Sequence, residues 1–219
     1  GYKFLFLPQK TNVFQMDCKI FGGCYLETKE NLGISHLLEH IVSDSWKKCP
    51  NSNCTKHLEK YGVLSNAYTQ MMSTGYWIKG LSQFKNILTD YIVSICIDPK
   101  ITNKKMKYEI EAVRNEITNY MNDPNYALTN ACSELIFKNE GLKFSENYDI
   151  QLNNLSKFTI QQLIDFANEI ISRKKMLFIV SGDFSKTQLT KKIKSILKKV
   201  PDVKNTENEF PGSFPYTRG

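Results

Sequence analysis

Histidine is scarce in this chain, three in 219 residues, and tryptophan scarcer, at two. No stretch approaches the roughly 18 to 20 uninterrupted apolar residues that a membrane span requires, so no membrane partner is expected. No internal repeat or low-complexity tract is present, which excludes solenoid arrays and biased linkers as the main body. No charged, then apolar, then small-residue pattern opens the sequence, and none of it reads as a signal peptide. Six cysteines are too few and too scattered for a small disulfide framework. Cys49 and Cys54 have metal-like spacing but lack a second pair, and His57 nearby reads as a surface residue. The thiols are therefore expected to be reduced, in a cytoplasmic or organellar rather than secreted protein. The net charge of +7 is spread over many segments. Lys191, Lys192, Lys194, Lys198 and Lys199 read as a solvated helix face, and without a recognition module or aromatic platform nucleic acid is not expected as a partner.

What remains is a 41% hydrophobic chain long enough to bury one sizeable core. Two of its three histidines fall in one pentapeptide, His36-Leu37-Leu38-Glu39-His40. On a helix these positions share one side, so two imidazoles can converge on one metal ion while Glu39 points toward its open position. The order H-x-x-E-H is the inverse of H-E-x-x-H and carries the same hydrolytic mechanics. Gly33 allows the backbone entry, and Ile34, Leu37, Leu38 and Ile41 supply a buried face.

A catalytic zinc takes a third protein ligand and leaves a position for water. The candidates lie between Thr102 and Tyr120, where Met106, Ile110, Val113 and Ile117 form one apolar stripe. Glu109 and Glu116, two turns apart, project together from another side. One can ligate and the other can hold a ligand in place. Glu111, off that side, reads as a solvated carboxylate.

Gly33-Ile34-Ser35-His36 through His40, followed by Glu109-Ile110-Glu111-Ala112-Val113-Arg114-Asn115-Glu116, resembles the paired signature of the pitrilysin/insulinase zinc metallopeptidases, the inverzincins. That group includes the mitochondrial processing peptidases. The resemblance implies His36, His40 and Glu116 as ligands of one Zn2+ per chain, Glu39 as general base and Glu109 as the supporting carboxylate. Gly62 to Thr69 and Thr74 to Trp77 are similar to the family's edge strand for extended substrate. They imply, as substrate contacts, Asn66, Ala67 and Tyr68. The implied activity is zinc-dependent endopeptidase cleavage of extended peptides or unstructured protein segments. The alternative is a non-catalytic peptide-binding or assembly subunit. The family builds catalytic units from two halves that close like a clamshell, so a second homologous half-domain is expected, in the same chain or a partner chain.

Along the chain, strands are expected at Tyr2 to Leu7, Val13 to Tyr25, Val63 to Thr69, Thr74 to Gly80 and Met176 to Ser181. Helices are expected around His36 to His40 and over Thr55 to Tyr61, Ser82 to Ile97, Thr102 to Met121, Tyr126 to Lys138, Thr159 to Ser172 and Lys186 to Val200. Clustered rather than alternating elements predict an α+β two-layer sandwich, helices packed on a mostly antiparallel sheet, as one half of a clamshell metallopeptidase. Residues 1–200 read as the metal-bearing peptidase domain. Residues 201–219, rich in Pro and Gly at their end, read as a linker or tail toward a second domain.

Overall fold

A computed structural model of the chain describes residues 2–49, 54–136, 147–172 and 175–198. Its clearest alternation lies in β2 (Val13–Ile20), where Phe14, Met16, Cys18 and Ile20 are buried and the residues between them face away. β2 is the central strand of a five-stranded sheet. The spatial order is β1 (Tyr2–Pro8), β5 (Met176–Gly182), β2, β4 (Thr74–Leu81) and β3 (Leu64–Thr69). Only β1 and β5 run parallel; the other neighbours are antiparallel. This is the expected α+β sandwich.

The helices close the inner face. α1 (Ile34–Ser43) buries Ile34, Leu37, Leu38, Ile41 and Val42, and α3 (Lys85–Ile97) packs Leu88, Tyr91, Ile92, Ile95 and Cys96 over β2 and β4. Each such aliphatic side chain, buried, contributes about 1.5–3 kcal/mol, which fixes α1 against the sheet. α2 (Cys54–Glu59) lies between α1 and β3 in the chain. α4 (Asn103–Met121) packs on α1 through Met106, Val113 and Ile117, and is capped by the Thr102 hydroxyl, which accepts from Lys105 N at 3.3 Å. α5 (Pro124–Ile136) and α6 (Tyr148–Leu155) flank α4, α7 (Ile160–Ser172) lies beside α1, and α8 (Lys186–Leu197) lies beside α3.

Several expected boundaries move. β2 stops at Ile20 rather than Tyr25, because the chain turns at Gly22-Gly23 to run against the β3–β4 turn. There Cys24 N and Tyr25 N donate to Gln70 O and Met71 O at 3.3 and 3.0 Å. A Cβ on Gly23 would lie 2.1 Å from Gln70 O, so only glycine fits that approach. α5 starts at Pro124, a residue suited to a first helical position. The expected helix ends at Lys138 and Val200 lie outside the described residues, as does the 201–219 tail. α6 was not expected from its sparse apolar pattern; Asn147 starts it, its side chain accepting from Ile150 N at 3.1 Å.

The cysteine reading is corrected. Cys49 and Cys54 form a disulfide with a Cα–Cα separation of 5.3 Å, so neither sulfur is a thiol or a metal ligand. Cys18 and Cys96 are buried and free, while Cys24 is half-buried just beyond β2. His57 is half-buried, its ring 5.8 Å from Tyr61 and 6.5 Å from Trp46. Lys192 leaves the expected solvated face to pair with Asp90 of α3 at 2.9 Å. No helix among the described residues is long and apolar enough to cross a membrane.

Candidate metal centre

The first feature of the site is how α1 begins. Gly33 sits at φ 94°, where an L side chain is strained, and this left-handed turn aims the helix N-terminus at Glu27. The Glu27 carboxylate accepts from Gly33 N at 3.0 Å and Ser35 N at 2.8 Å, satisfying otherwise unpaired amides and facing the positive end of the helix. The apolar residues of α1 point to the core. His36, Glu39 and His40 consequently face the gap between α1, α4 and β3.

α4 crosses that gap with Glu116. His36 Nε2 lies 3.6 Å and His40 Nε2 3.2 Å from Glu116 Oε2, and donor atoms of the three residues all lie within 4.8 Å of one another. A tetrahedral ion with bonds of about 2.0–2.2 Å places its donor atoms roughly 3.3–3.6 Å apart. Two separations in this trio bracket that value, and two imidazoles with a carboxylate form a borderline-soft donor set suited to zinc. The residues fit the ion.

The electrostatics agree. Although burial opposes its charge, His40 is raised to about 9, because its ring nitrogens donate to Glu109 Oε2 at 3.3 Å and to Glu116. The imidazoles of His36 and His40, facing its carboxylate, hold Glu116 well below the ordinary carboxylate range. The site favours positive charge at its centre. Glu39 behaves oppositely: burial raises its pKa and outweighs Thr69 and the two imidazoles beside it. Glu109 is lowered despite burial, by His40 and Lys105. Glu111 is exposed, as expected.

Glu39, Glu116 and His40 border a cleft of about 450 Å³, also lined by Ser65, Asn66, Ala67, Trp77 and Tyr120. β3 forms one wall and is the sheet's terminal strand. Of the expected substrate residues, Asn66 and Ala67 line the cleft, and Asn66 Oδ1 accepts from Ala67 N at 2.9 Å. Tyr68 points elsewhere. Thr69 meets Glu39 on the helix side, so by strand alternation Tyr68 lies on the opposite sheet face, where its ring covers Gly75.

Four contributors escaped sequence reasoning. Tyr120 donates its hydroxyl to Glu116 Oε1 at 2.9 Å, and Lys105 pairs with Glu109 Oε1 at 3.0 Å. Both are four residues from their partners on one helix, a spacing visible in the text. Glu27, and Asp44, whose Oδ2 lies 2.6 Å from the Lys105 ammonium, left no such signal.

The sequence model described as Insulinase (Peptidase family M16) matches residues 9–148, and that of the peptidase M16 inactive domain matches residues 157–218. The chain belongs to the insulinase family of peptidases, M16. It is 23% identical over 198 residues to cytochrome b-c1 complex subunit 1, mitochondrial, of Mus musculus, covering 90% of this chain and 40% of that protein. It is 22% identical over 201 residues to the mitochondrial-processing peptidase subunit beta of Dictyostelium discoideum, covering 88% and 42%. The crystal structure of pitrilysin superposes with a TM-score of 0.80 at 20% identity, covering 94% of this chain and 22% of that one. The chain thus spans about two fifths of these two curated relatives.

Proposed function

We propose that this chain is the metal-bearing unit of a zinc endopeptidase that hydrolyses extended peptides or unstructured protein segments. Its ligands are His36, His40 and Glu116, and its general base is Glu39. The observation that carries this reading is the convergence of those three donors within 4.8 Å, from helices 60 residues and more apart in sequence, beside a partly buried carboxylate. Bound zinc would supply Lewis acidity, polarising the scissile carbonyl and acidifying a water.

The protein's own groups do the rest. Glu39, kept basic by burial, accepts the proton of the attacking water on its carboxylate and returns it to the departing amine nitrogen. Glu109 holds the His40 ring through Nδ1, so that Nε2 faces the centre. β3, the outermost strand among the described residues, offers its edge to an extended backbone, and the Asn66 side chain on Ala67 N marks an amide that incoming substrate can take over. A second half-domain, from the same protein or a partner, closes the cleft. The mitochondrial names of the relatives support an organellar site of action.

A second reading is a non-catalytic binding or assembly subunit, favoured by one relative's name as a subunit of the cytochrome b-c1 complex. Zinc content and hydrolysis of a quenched unstructured peptide, with and without chelator, separate the two. The peptidase reading expects chelator-sensitive cleavage by the protein with its second half. It also expects Glu39→Gln to retain zinc and lose about 10²–10⁴-fold in turnover. Zinc-free protein, or a Glu39→Gln variant as fast as the parent, would overturn it.

A further inference from the structure

Behind the metal centre lies a second set of charges. Glu109 uses Oε2 on His40 Nδ1, and its Oε1 faces the Lys105 ammonium at 3.0 Å. The same ammonium lies 2.6 Å from Asp44 Oδ2. Asp44, the residue that ends α1, also accepts from Cys54 N, the first residue of α2. Cys54 is in turn tied to Cys49 by the disulfide. A continuous line of contacts therefore runs from the crosslinked segment through Asp44, Lys105 and Glu109 to His40. Its three charged members are mostly buried, with side-chain exposures of 17%, 18% and 10%.

From this arrangement we infer that Lys105 and Asp44 are positioning residues for the metal centre, acting through Glu109 on His40. This rests on the proposed ligand set. A carboxylate that only met His40 could rotate toward the nearby cation and compete with Glu116. Lys105 occupies its other oxygen and holds the carboxylate plane against the imidazole. Asp44 fixes Lys105 from the far side, joining the C-terminus of α1 to the first turns of α4 and setting the two helices that carry the ligands at one spacing. Without Lys105, the Asp44 and Glu109 carboxylates lose their shared counter-charge in a poorly solvated place.

The test is zinc affinity by chelator competition, together with the visible spectrum of the cobalt-substituted protein, in the full protein. Lys105→Met is expected to weaken zinc binding by about 10–100-fold, the usual consequence of removing a group that orients a ligand, and to change the cobalt spectrum. Lys105→Arg, which keeps the charge and both contacts, is expected to restore affinity to within about threefold. Asp44→Asn keeps an acceptor for Cys54 N while removing the charge facing Lys105. It serves as the readout should Lys105→Met not fold, with an expected loss of at least fivefold. A folded Lys105→Met, or failing that Asp44→Asn, that binds zinc within twofold of the parent with an unchanged cobalt spectrum overturns the inference. So does a loss that Lys105→Arg does not restore. A parent protein that binds no zinc at all removes the ligand set itself, and this inference with it, an outcome distinct from equal binding by parent and variant.

Discussion

Protons and zinc compete for His40, and the size of that competition follows from its surroundings. With its pKa raised to about 9 by Glu109 and Glu116 against burial, only about one metal-free molecule in a hundred carries neutral His40 at pH 7. Only the neutral ring can ligate, so zinc binding at pH 7 must release this proton. Apparent affinity is expected to rise nearly tenfold from pH 7 to 8 and about 25-fold from pH 7 to 8.5, levelling above 9. In the metal-free protein the same contacts have the opposite sign. The folded pKa of His40 exceeds its ordinary 6.5, so its stabilising contribution is complete below about 6.5 and is lost as pH rises through about 9. Glu116 is depressed from 4.5, so its contribution is present above that value and lost as pH falls. This pair therefore favours the metal-free fold most between about pH 4.5 and 6.5, where zinc is held more weakly than at neutral pH. Competition with a chelator of known pH dependence, and calorimetry in buffers of different ionisation enthalpy, measure both quantities. An affinity that changes less than threefold from pH 7 to 8.5, with no proton released on binding at pH 7, would refute the reasoning.

Two further predictions concern the scaffold. Gly23→Ala places a methyl group 2.1 Å from Gln70 O and 2.8 Å from Met71 O, so the β2 exit must separate from the β3–β4 turn. A loss of about 1–3 kcal/mol is expected, and an unchanged denaturation midpoint would contradict the tight approach. Reducing the Cys49–Cys54 bridge, which closes a loop of only five steps along the chain, is expected to cost about 2 kcal/mol. Melting with and without a dithiol reductant checks this against a Cys49→Ser/Cys54→Ser control. Finding six titratable thiols in native, unreduced protein would disprove the crosslink.

Most of the architecture was legible because it follows from short-range pattern. Alternation along β2, the continuous apolar run of β5, the apolar stripe of α4 and the buried side of α1 are each written within one element. Misses arose where a distant contact decided the outcome. β2 ends early because of a turn almost 50 residues on, and α6 forms with little stripe of its own, carried by its Asn147 cap and its packing on α4. Cys49 and Cys54 gave no sequence cue to distinguish a crosslink from two thiols, since both spacings look alike in text.

The spacing of His36, Glu39 and His40 determined by itself that two imidazoles and a carboxylate share one helical side, because that depends only on the pitch of the helix. The text likewise placed Glu109 and Glu116 together on α4. Spacing left open which of the two meets both histidines and which backs His40 alone; the family resemblance implied the assignment, and the tertiary structure places Glu116 against both and Glu109 against His40, because that depends on how α4 crosses α1. Tertiary structure alone turned Tyr68 away from the cleft, brought Glu27 to the start of α1, and joined Asp44 to Lys105. Those outcomes rest on distances between elements, which no local periodicity encodes.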